Sequence, residues 1–352
     1  MASDKDVVTQ NENAPVKKRG CAGHCKRFWW VYLIVSVVVI VLVVVLIIFV
    51  GVPKIAQKKL DQAELTIDSI IISDTRPTKY NMAVNSTIRT DGKTHATISA
   101  FTGVMYLEDL EPHTPFASVE FPETTSDALQ VVNVSQIVEI PNMEAFTTFN
   151  TWLLANETLR MTIEGDTHVK VKGIAKKYGV TFKKTVELKG LNGFHGLKVT
   201  DANINIAAKT NNFNGTVDIP NASILTIEIG NATFANKLDG EQIGTVYMNN
   251  LVLNPGINDV FISADVEQAP VLDAMTSGPH CNDGIIPFEM VGLDVTRDGE
   301  ELEYFAGALR ALTQAVDIPL TEAFARNGLK LDVSTPVEVT LKRRSKPLVT
   351  IR

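Results

Sequence analysis

The sequence predicts a mainly β protein, in which an N-terminal transmembrane helix precedes two tandem antiparallel β-sandwich domains, each with about one packing helix. Three observations predict this fold class. Residues 28–52 form one uncharged apolar run. Short segments with alternating apolar and polar residues follow the run, separated by Gly, Asn and Pro, and such segments are typical of sandwich strands. The order of these segments recurs at an offset of 127–129 residues, which indicates a duplication.

The first 27 residues form a short basic tail. It holds six basic and three acidic side chains, a net charge of +3. Because so short and polar a segment cannot build a core, we expect a disordered tail. Its charge suits the cytosolic leaflet, where anionic lipids attract basic segments. Cys21 and Cys25 lie beside the apolar run, where palmitoylation is common, and the sequence is equally consistent with unmodified cysteines.

Residues 28–52 form the predicted transmembrane helix. A helix needs about 20 apolar residues to cross the hydrocarbon core, and this run of 25 carries no charge. A cleaved signal peptide has an apolar stretch of only about 7–15 residues, so we expect an uncleaved signal-anchor. Trp29, Trp30 and Tyr32 stand at its start, where aromatic rings favour the headgroup layer. Residues 53–64 are predicted to form a polar stalk.

Charges and glycosylation sequons predict the orientation of this helix. Five basic residues precede the run between positions 17 and 27, and three lysines follow it up to position 59. Cytosolic flanks carry the excess of Lys and Arg, so we expect a cytosolic N-terminus. All six Asn-x-Ser/Thr sequons follow the run, which favours a lumenal or extracellular C-terminal part. The candidate N-glycosylation sites are Asn85, Asn133, Asn156, Asn214, Asn221 and Asn231.

The part that follows the helix is acidic and has one cysteine. The whole chain has a formal net charge of −7, and because the tail contributes +3, the remainder carries −10. Nucleic acids require a basic face, so this charge argues against a nucleic-acid partner. Cys281 stands alone in this part, which therefore has no internal disulfide and depends on its hydrophobic core.

Alternating residues predict the strands of the first half. In residues 132–140 the valines share one face, while Asn133, Ser135 and Glu139 share the other. This period of two predicts a half-buried strand with the Asn133 sequon in solvent. Residues 98–107 are apolar on both faces towards their end. The second apolar face either lines a ligand groove or packs against a helix.

The same segments return in the second half. Residues 116–119 resemble residues 243–246, for example, and the segments that follow keep this offset. The duplication predicts a first sandwich over residues 65–195 and a second over residues 196–352. The boundary lies in a glycine-rich stretch at positions 190–196, since glycine favours turns and linkers.

Helical spacing predicts a packing helix in each half. The first covers residues 143–155, with Asn142 as its N-cap. The second is indicated by apolar residues at helical spacing: Phe305, Ala308, Leu309, Leu312, Ala315 and Val316. Asp298-Gly joins two strand-like runs and predicts a hairpin turn. Alternation at positions 337–342 predicts a last strand.

Motifs for catalysis are missing from the sequence. The nucleophile elbow G-x-S-x-G, the zinc motif H-E-x-x-H, the P-loop and G-x-G-x-x-G are all absent. The histidines after the apolar run do not pair at metal-ligand spacing. We therefore expect a protein that is not an enzyme and that uses no cofactor or metal.

Four segments carry a resemblance to a known family. They are Val52-Pro-Lys-Ile-Ala-Gln-Lys, Leu65-Thr-Ile-Asp-Ser-Ile-Ile, Asn85-Ser-Thr-Ile and Leu253-Asn-Pro-Gly-Ile-Asn. With them the chain resembles fungal single-pass membrane proteins of a domain family of unknown function, which is related to the group 2 late-embryogenesis-abundant domain of the water-stress and hypersensitive response. It is also similar to the lumenal part of a fungal vacuolar-membrane protein implicated in terminating autophagy. The resemblance covers roughly residues 50–350.

The resemblance implies a seven-stranded sandwich with one helix, here in two copies, and a role in shielding apolar ligands. The leading expectation is a membrane-anchored lumenal protein that holds or transfers lipid at the vacuolar or late-secretory membrane, with the plasma membrane or another endomembrane as the alternative location. The candidate groove lies on the strand with two apolar faces, at Phe101, Val104, Met105 and Tyr106. The second hypothesis is a non-catalytic scaffold that binds unidentified protein partners without a ligand.

Overall fold

The computed structural model describes residues 22–276 and 284–326, and its contacts divide the chain into two compact units, Met1–Ile55 and Ala56–Arg352. Most of the predicted tail, with Cys21, lies outside the described residues, as do Cys281 and the strand predicted at positions 337–342.

A long N-terminal helix covers the predicted transmembrane segment. Helix α1 (Ala22–Leu46), which includes Cys25, continues through a π-helical turn (Ile47–Gly51) into α2 (Val52–Gln62). Within the described chain, Trp29–Gln62 is the helix that is long and apolar enough to cross a membrane. Its large apolar side chains up to Val50 are mostly exposed, so no protein core accounts for them. The helix is therefore consistent with a single-pass membrane anchor or signal-anchor.

The first half of the second unit contains nine strands and one helix. In chain order they are β1 (Glu64–Ser73), β2 (Lys79–Arg89), β3 (Ala96–Ile98), β4 (Phe101–Leu107), β5 (Ala117–Phe121), β6 (Thr124–Thr125), β7 (Leu129–Glu139), α3 (Met143–Ala155), β8 (Thr158–Val171) and β9 (Lys177–Lys189). Strands β1, β2 and β7 pair in antiparallel order, as do β5, β4, β8 and β9, and β3 and β6 extend this second sheet. Apolar side chains of both sheets fill the space between them.

The second half contains eight strands and three short helices among the described residues. They are β10 (Lys198–Ile204), β11 (Phe213–Asn221), β12 (Leu225–Leu238), β13 (Glu241–Leu253), β14 (Gly256–Val266), α4 (Gln268–Thr276), β15 (Ile285–Arg297), β16 (Glu300–Glu301), α5 (Glu303–Arg310), β17 (Thr313–Pro319) and α6 (Thr321–Arg326). Strands β10, β11 and β14 pair in the order of β1, β2 and β7, while β13, β12, β15 and β17 repeat the order of β5, β4, β8 and β9. This recurrence is what a duplication predicts.

The two halves share one sheet. Strand β1 pairs in parallel with β12, where Ile70 lies opposite Leu225, so that eleven strands form a continuous sheet. Tyr304 of α5 adds a second link, because its hydroxyl donates to the carbonyl oxygen of Arg76 at 3.1 Å and its ring lies 4.9 Å from that of Phe146. The limits proposed at residue 195 therefore describe the repeat and not two separate bodies.

The predicted boundary at positions 190–196 is packed rather than open. A Cβ atom on Gly190 would lie 2.2 Å from the carbonyl oxygen of Asn156, and Leu191 and Phe194 are buried. The glycine is required here for close contact with the end of α3, which the composition of the segment does not reveal.

The helix predictions had different outcomes. Helix α3 begins after Asn142, whose side chain accepts a hydrogen bond from the backbone of Ala145 at 2.8 Å, as predicted. The second prediction was wrong in its extent, since α5 ends at Arg310 and residues 313–319 form β17. Val316 and Ile318 are buried there at the period of a strand. Apolar residues can satisfy both periods over a short segment, so spacing alone did not locate the end of the helix.

The predicted hairpin turn at Asp298-Gly is confirmed. Arg297 pairs with Glu300, and the two residues between them have positive φ angles of 51° and 83°. Such a pair is typical of the type I′ turn, which matches the twist of the flanking strands.

Candidate functional site

The four residues of the predicted groove lie on both faces of β4. Phe101 and Met105 face the interior between the two sheets, while Val104 and Tyr106 face outward, because successive side chains of a strand alternate. The four therefore do not line a common groove. Met105 is buried beside a closed space of about 20 Å³, and Phe101 borders an open cleft. Both faces of the strand are covered, each by a different part of the chain.

The outer face of β4 is covered by a loop and not by a helix. The ring of His113 stacks on Tyr106 at 4.7 Å, and the Tyr106 hydroxyl donates to Glu164 at 2.7 Å. This hydrogen bond lowers the pKa of Glu164, while burial raises the pKa of Tyr106. Lys183 completes the cluster with an ion pair to Glu164 at 3.1 Å. The polar groups of Tyr106, Glu164 and Lys183 thus satisfy one another, and the stacked ring of His113 holds the loop on the sheet.

An open cleft of about 530 Å³ lies where the two sheets of the first half meet. Its walls are the end of β5 with Phe121 and Pro122, the start of β4 with Phe101, and the middle of β7. The gap is crossed by Gln136, whose side-chain amide accepts from the backbone of Glu120 at 3.1 Å and donates back at 3.4 Å. The Gln136 side chain thus takes the place of direct pairing between β5 and β7, and this junction is the seam of the first half.

The corresponding seam of the second half is closed. There β13 pairs directly with β14, from Gly244 opposite Val266 to Tyr247 opposite Ser263. Gly244 permits this approach, because a Cβ atom at that position would lie 2.0 Å from the carbonyl oxygen of Asp265. The matching residue of the first half is Ala117, and its strand does not pair with β7. The two halves thus differ at corresponding strands, because β13 and β14 pair directly whereas β5 and β7 do not.

Behind its closed seam, the second half encloses an apolar cavity of about 50 Å³. The apolar residues that line it come from six strands, two short helices and the residue between β17 and α6: Val199, Ile204, Phe213, Val217, Val246, Ile262, Ala264, Val266, Val271, Phe288, Met290, Val316, Ile318, Leu320 and Phe324. Asn212, Asn236 and Gln268 are its polar residues. A cavity of this size accepts small apolar groups.

Asn236 is the chemically distinct member of the lining. It is 6% exposed and faces the cavity from β12. Asn212 also lines the cavity, and its amide donates to the carbonyl oxygen of Val266 at 2.7 Å and accepts from the backbone N–H of Val266 at 2.9 Å. The Asn236 amide can therefore bond to a polar group inside the cavity.

Sequence reasoning missed this cavity, although one signal for it exists. Asn236 occupies an inward position of β12, between the buried residues Phe234 and Leu238. A polar residue at an apolar position of a period-two pattern marks a buried polar group. The remainder of the lining is ordinary core composition and gives no such signal.

The six sequons differ in their exposure. Asn85 and Asn133 are exposed and lie directly opposite each other on β2 and β7, which agrees with the predicted solvent face. Asn156, Asn214 and Asn231 are half-buried. Asn221 is only 2% exposed, and its amide donates to the carbonyl oxygens of Leu225 and Leu253. A glycan on Asn221 is incompatible with this packing, so we remove it from the candidate sites.

We predict that replacing Asn85 changes glycosylation but not stability, whereas replacing Asn221 changes stability but not glycosylation. Endoglycosidase treatment should lower the apparent mass of the membrane-extracted chain, and Asn85→Gln should reduce that shift without changing stability. Asn221→Gln should leave the shift unchanged and lower the free energy of unfolding by about 1–3 kcal/mol, because buried partners lose hydrogen bonds. Gel mobility and thermal unfolding measure the two effects. A smaller mass shift for the Asn221 variant would contradict the structural role.

Charged side chains of the described chain form local ion pairs. No group of three or more His, Cys, Asp or Glu side chains is placed to hold a metal ion among the described residues. Near the junction of the halves, Arg297 forms an ion pair with Glu228, and this hydrogen bond lowers the pKa of Glu228. The ion pair between Arg297 and Glu228 stabilises the junction between β15 and β12.

Comparisons with known proteins agree with a domain of unknown function. A family model described as "Protein of unknown function (DUF3712)" matches residues 114–236, about a third of the chain, and no curated protein matches. Among solved structures, the chain is similar to a protein from Archaeoglobus fulgidus (7% identity, TM-score 0.22, covering 36% of this chain and 94% of that chain). It is also similar to a bacterial adhesin from Mobiluncus mulieris (10%, 0.20, 72% and 97%) and to the CupB6 tip adhesin from Pseudomonas aeruginosa (9%, 0.20, 58% and 89%). TM-scores this low do not establish a shared fold or function.

Proposed function

We propose that this chain is a single-pass, membrane-anchored and non-catalytic binding protein whose β-rich part holds the apolar end of a lipid. The β-rich part lies on the lumenal or extracellular side in this proposal, and the vacuolar or another late-secretory membrane is the favoured location. The observation that carries the proposal is the apolar cavity of the second half with the Asn236 amide in its wall. The apolar N-terminal helix supports the anchoring.

The lining of the cavity defines the class of ligand. Apolar side chains favour a hydrocarbon group, and the Asn236 amide offers N–H donors and a carbonyl acceptor to a polar group beside it. Ligand pockets for whole small molecules measure about 300–1,000 Å³. A space of about 50 Å³ admits only the terminal carbons of a chain or a small apolar molecule. A complete lipid requires α4 or α6 to move, since Val271 and Phe324 close the cavity.

We predict that Asn236→Leu weakens ligand capture without lowering stability. Leucine has nearly the shape of asparagine and an apolar surface that suits this lining, so the free energy of unfolding should stay the same or rise. The full chain, in membranes supplied with a photoactivatable fatty acid, should acquire label on peptides that line the cavity. Asn236→Leu should reduce this label, as mass spectrometry of the peptides would show.

Asn212→Leu is the matched control for this prediction. Asn212 lines the same cavity and is equally buried, but its amide bonds to the backbone of Val266. This variant should therefore lose stability, whereas Asn236→Leu keeps it. Label absent from the cavity of the unaltered chain, or a loss of stability in Asn236→Leu, would contradict the ligand site.

The second candidate function is a membrane scaffold that binds proteins without a ligand. The observation that favours it is the row of exposed apolar residues on β7, at Leu129, Val131 and Ile137. The closed internal space of the first half described above is also smaller, at about 20 Å³. An unlabelled cavity together with a stable protein complex on this row would support the scaffold.

A further inference from the structure

The β8–β9 hairpin is a basic region in an otherwise acidic part of the chain. Residues 167–186 contain six lysines and no aspartate or glutamate, although the part that follows the apolar run carries a net charge of −10. Lys183 pairs with Glu164, and Lys184 donates to backbone carbonyl oxygens at the end of α2. The other four lysines are exposed around the tip of the hairpin, and we call them the basic tip: Lys170, Lys172, Lys176 and Lys177.

Two lysines of the basic tip are placed where the sheet itself gains nothing from them. Lys170 lies directly opposite Lys177 in the antiparallel ladder, so their side chains project from the same face. Like charges in this position destabilise a sheet. Neither lysine forms an ion pair with another described residue. The arrangement therefore suits an anionic partner outside the chain.

The basic tip lies on the side from which the chain enters its second unit. The side-chain amide of Gln57 in α2 accepts from the backbone N–H of Thr181 at 3.0 Å and donates to its carbonyl oxygen at 2.8 Å. Four residues later in the helix, the carbonyl oxygen of Asp61 accepts a bond from Lys184 at 2.7 Å. From Lys184 to Thr181, β9 therefore follows α2 back towards its start. Lys177 lies four residues further in this direction, about 13 Å beyond the contact with Gln57.

The end of the apolar run is held close to the same place by the length of the chain. Ala56 is the first residue of the second unit, and it follows Val52, the last residue of the run, by four positions. A segment of this length spans at most about 14 Å, which limits the distance from Ala56 to the hydrocarbon boundary. A hairpin that extends about 13 Å past Gln57 can therefore reach the headgroups of the bilayer that holds the helix.

We propose that the basic tip docks the β-rich part on anionic headgroups of the membrane in which this chain is anchored. Lysine binds anionic groups as a point charge, and each lysine near an anionic surface strengthens binding about fivefold. The acidic remainder of the chain is repelled by the same surface, so the basic tip sets which side of the β-rich part faces the bilayer. This inference rests on the membrane anchor of the proposed function and not on the ligand cavity.

Energy transfer from a probe at the hairpin tip in bilayer nanodiscs tests the contact. In a background with Cys21, Cys25 and Cys281 replaced by serine, the full chain carries a dye on Ala175→Cys, an exposed position between the lysines. Transfer to a headgroup-labelled lipid should be at least about twofold higher with about 30% phosphatidylserine than with phosphatidylcholine alone. Salt at about 0.5 M should remove the difference, because it shortens the screening length to roughly 4 Å.

The double variant Lys170→Gln/Lys177→Gln should lose the contact and keep the fold. Two lysines at about fivefold each correspond to a roughly 25-fold weaker attraction, so the increase in energy transfer with phosphatidylserine should disappear. The thermal midpoint should stay the same or rise, because the opposed charges are gone. A purely structural role of the two lysines predicts a lower midpoint instead.

Lys189→Gln/Lys198→Gln is the matched control. Both lysines are exposed and the change in net charge is the same, but Lys189 lies at the far end of β9 and Lys198 on β10. This variant should retain the response to phosphatidylserine. An equal loss in the two double variants, or an inserted chain whose tip responds equally to neutral and anionic bilayers, would overturn the hairpin contact alone. A chain that does not enter the nanodisc would contradict the anchor, and the contact with it.

Discussion

Replacing Tyr304 with alanine is expected to lower the free energy of unfolding by about 3–5 kcal/mol, the usual cost of truncating a large buried aromatic residue. Tyr304 is fully buried, and its ring contacts Phe146 of the first half and Phe305 of its own helix. Its hydroxyl bonds to the backbone of Arg76. Because the residue joins the halves, we also expect thermal unfolding to change from one transition to two.

Tyr304→Phe is the control for the role of the ring. It keeps the aromatic contacts and removes one hydrogen bond, so the loss should be only about 0.5–1.5 kcal/mol. Calorimetry of the purified chain would measure both the stability and the number of transitions. A single transition with an unchanged midpoint for the alanine variant would show that the junction does not depend on Tyr304.

Gly244→Ala is expected to cost at least the upper end of the about 1–3 kcal/mol that overpacking usually costs. The new methyl group would overlap the carbonyl oxygen of Asp265, which is backbone and cannot turn aside. We expect the β13–β14 seam to open, and hydrogen exchange should become faster in residues 244–247 and 263–266.

The control for this change is Gly179→Ala on β9. A Cβ atom at Gly179 would meet nothing within 4 Å, so its stability should change by less than about 0.5 kcal/mol. Slow exchange retained at the seam of the Gly244 variant would mean that the strands can shift to accept a side chain. The natural alanine at the matching position, Ala117, would then not explain the open seam of the first half.

Much of the fold was predictable because its signals are local. Period-two alternation located β7, and an asparagine before an apolar face located the start of α3. The unbroken apolar run located the helix that begins the chain. Each of these signals depends on residues that are close in sequence.

The candidate sites were less predictable because they depend on distant residues. The cavity around Asn236 is formed by seven strands and two helices, and their meeting is a property of the topology. The open seam of the first half depends on a difference between Ala117 and Gly244, 127 positions apart. The burial of Asn221 likewise depends on carbonyl groups of two other strands, which a sequon pattern does not include.

The parallel pairing of β1 with β12 has a consequence for the synthesis of the chain. β1 is the first strand after the helix, and Ile70 meets its partner Leu225 only 155 positions later. At about 5–20 residues per second, a ribosome needs roughly 8–30 s to produce the intervening segment. The β2–β7 ladder can form within that time, while the other edge of β1 stays unpaired. The nascent protein therefore passes through a state in which the strand that follows the N-terminal helix has an open edge, and closing the long loop to β12 is expected to be a late step of folding.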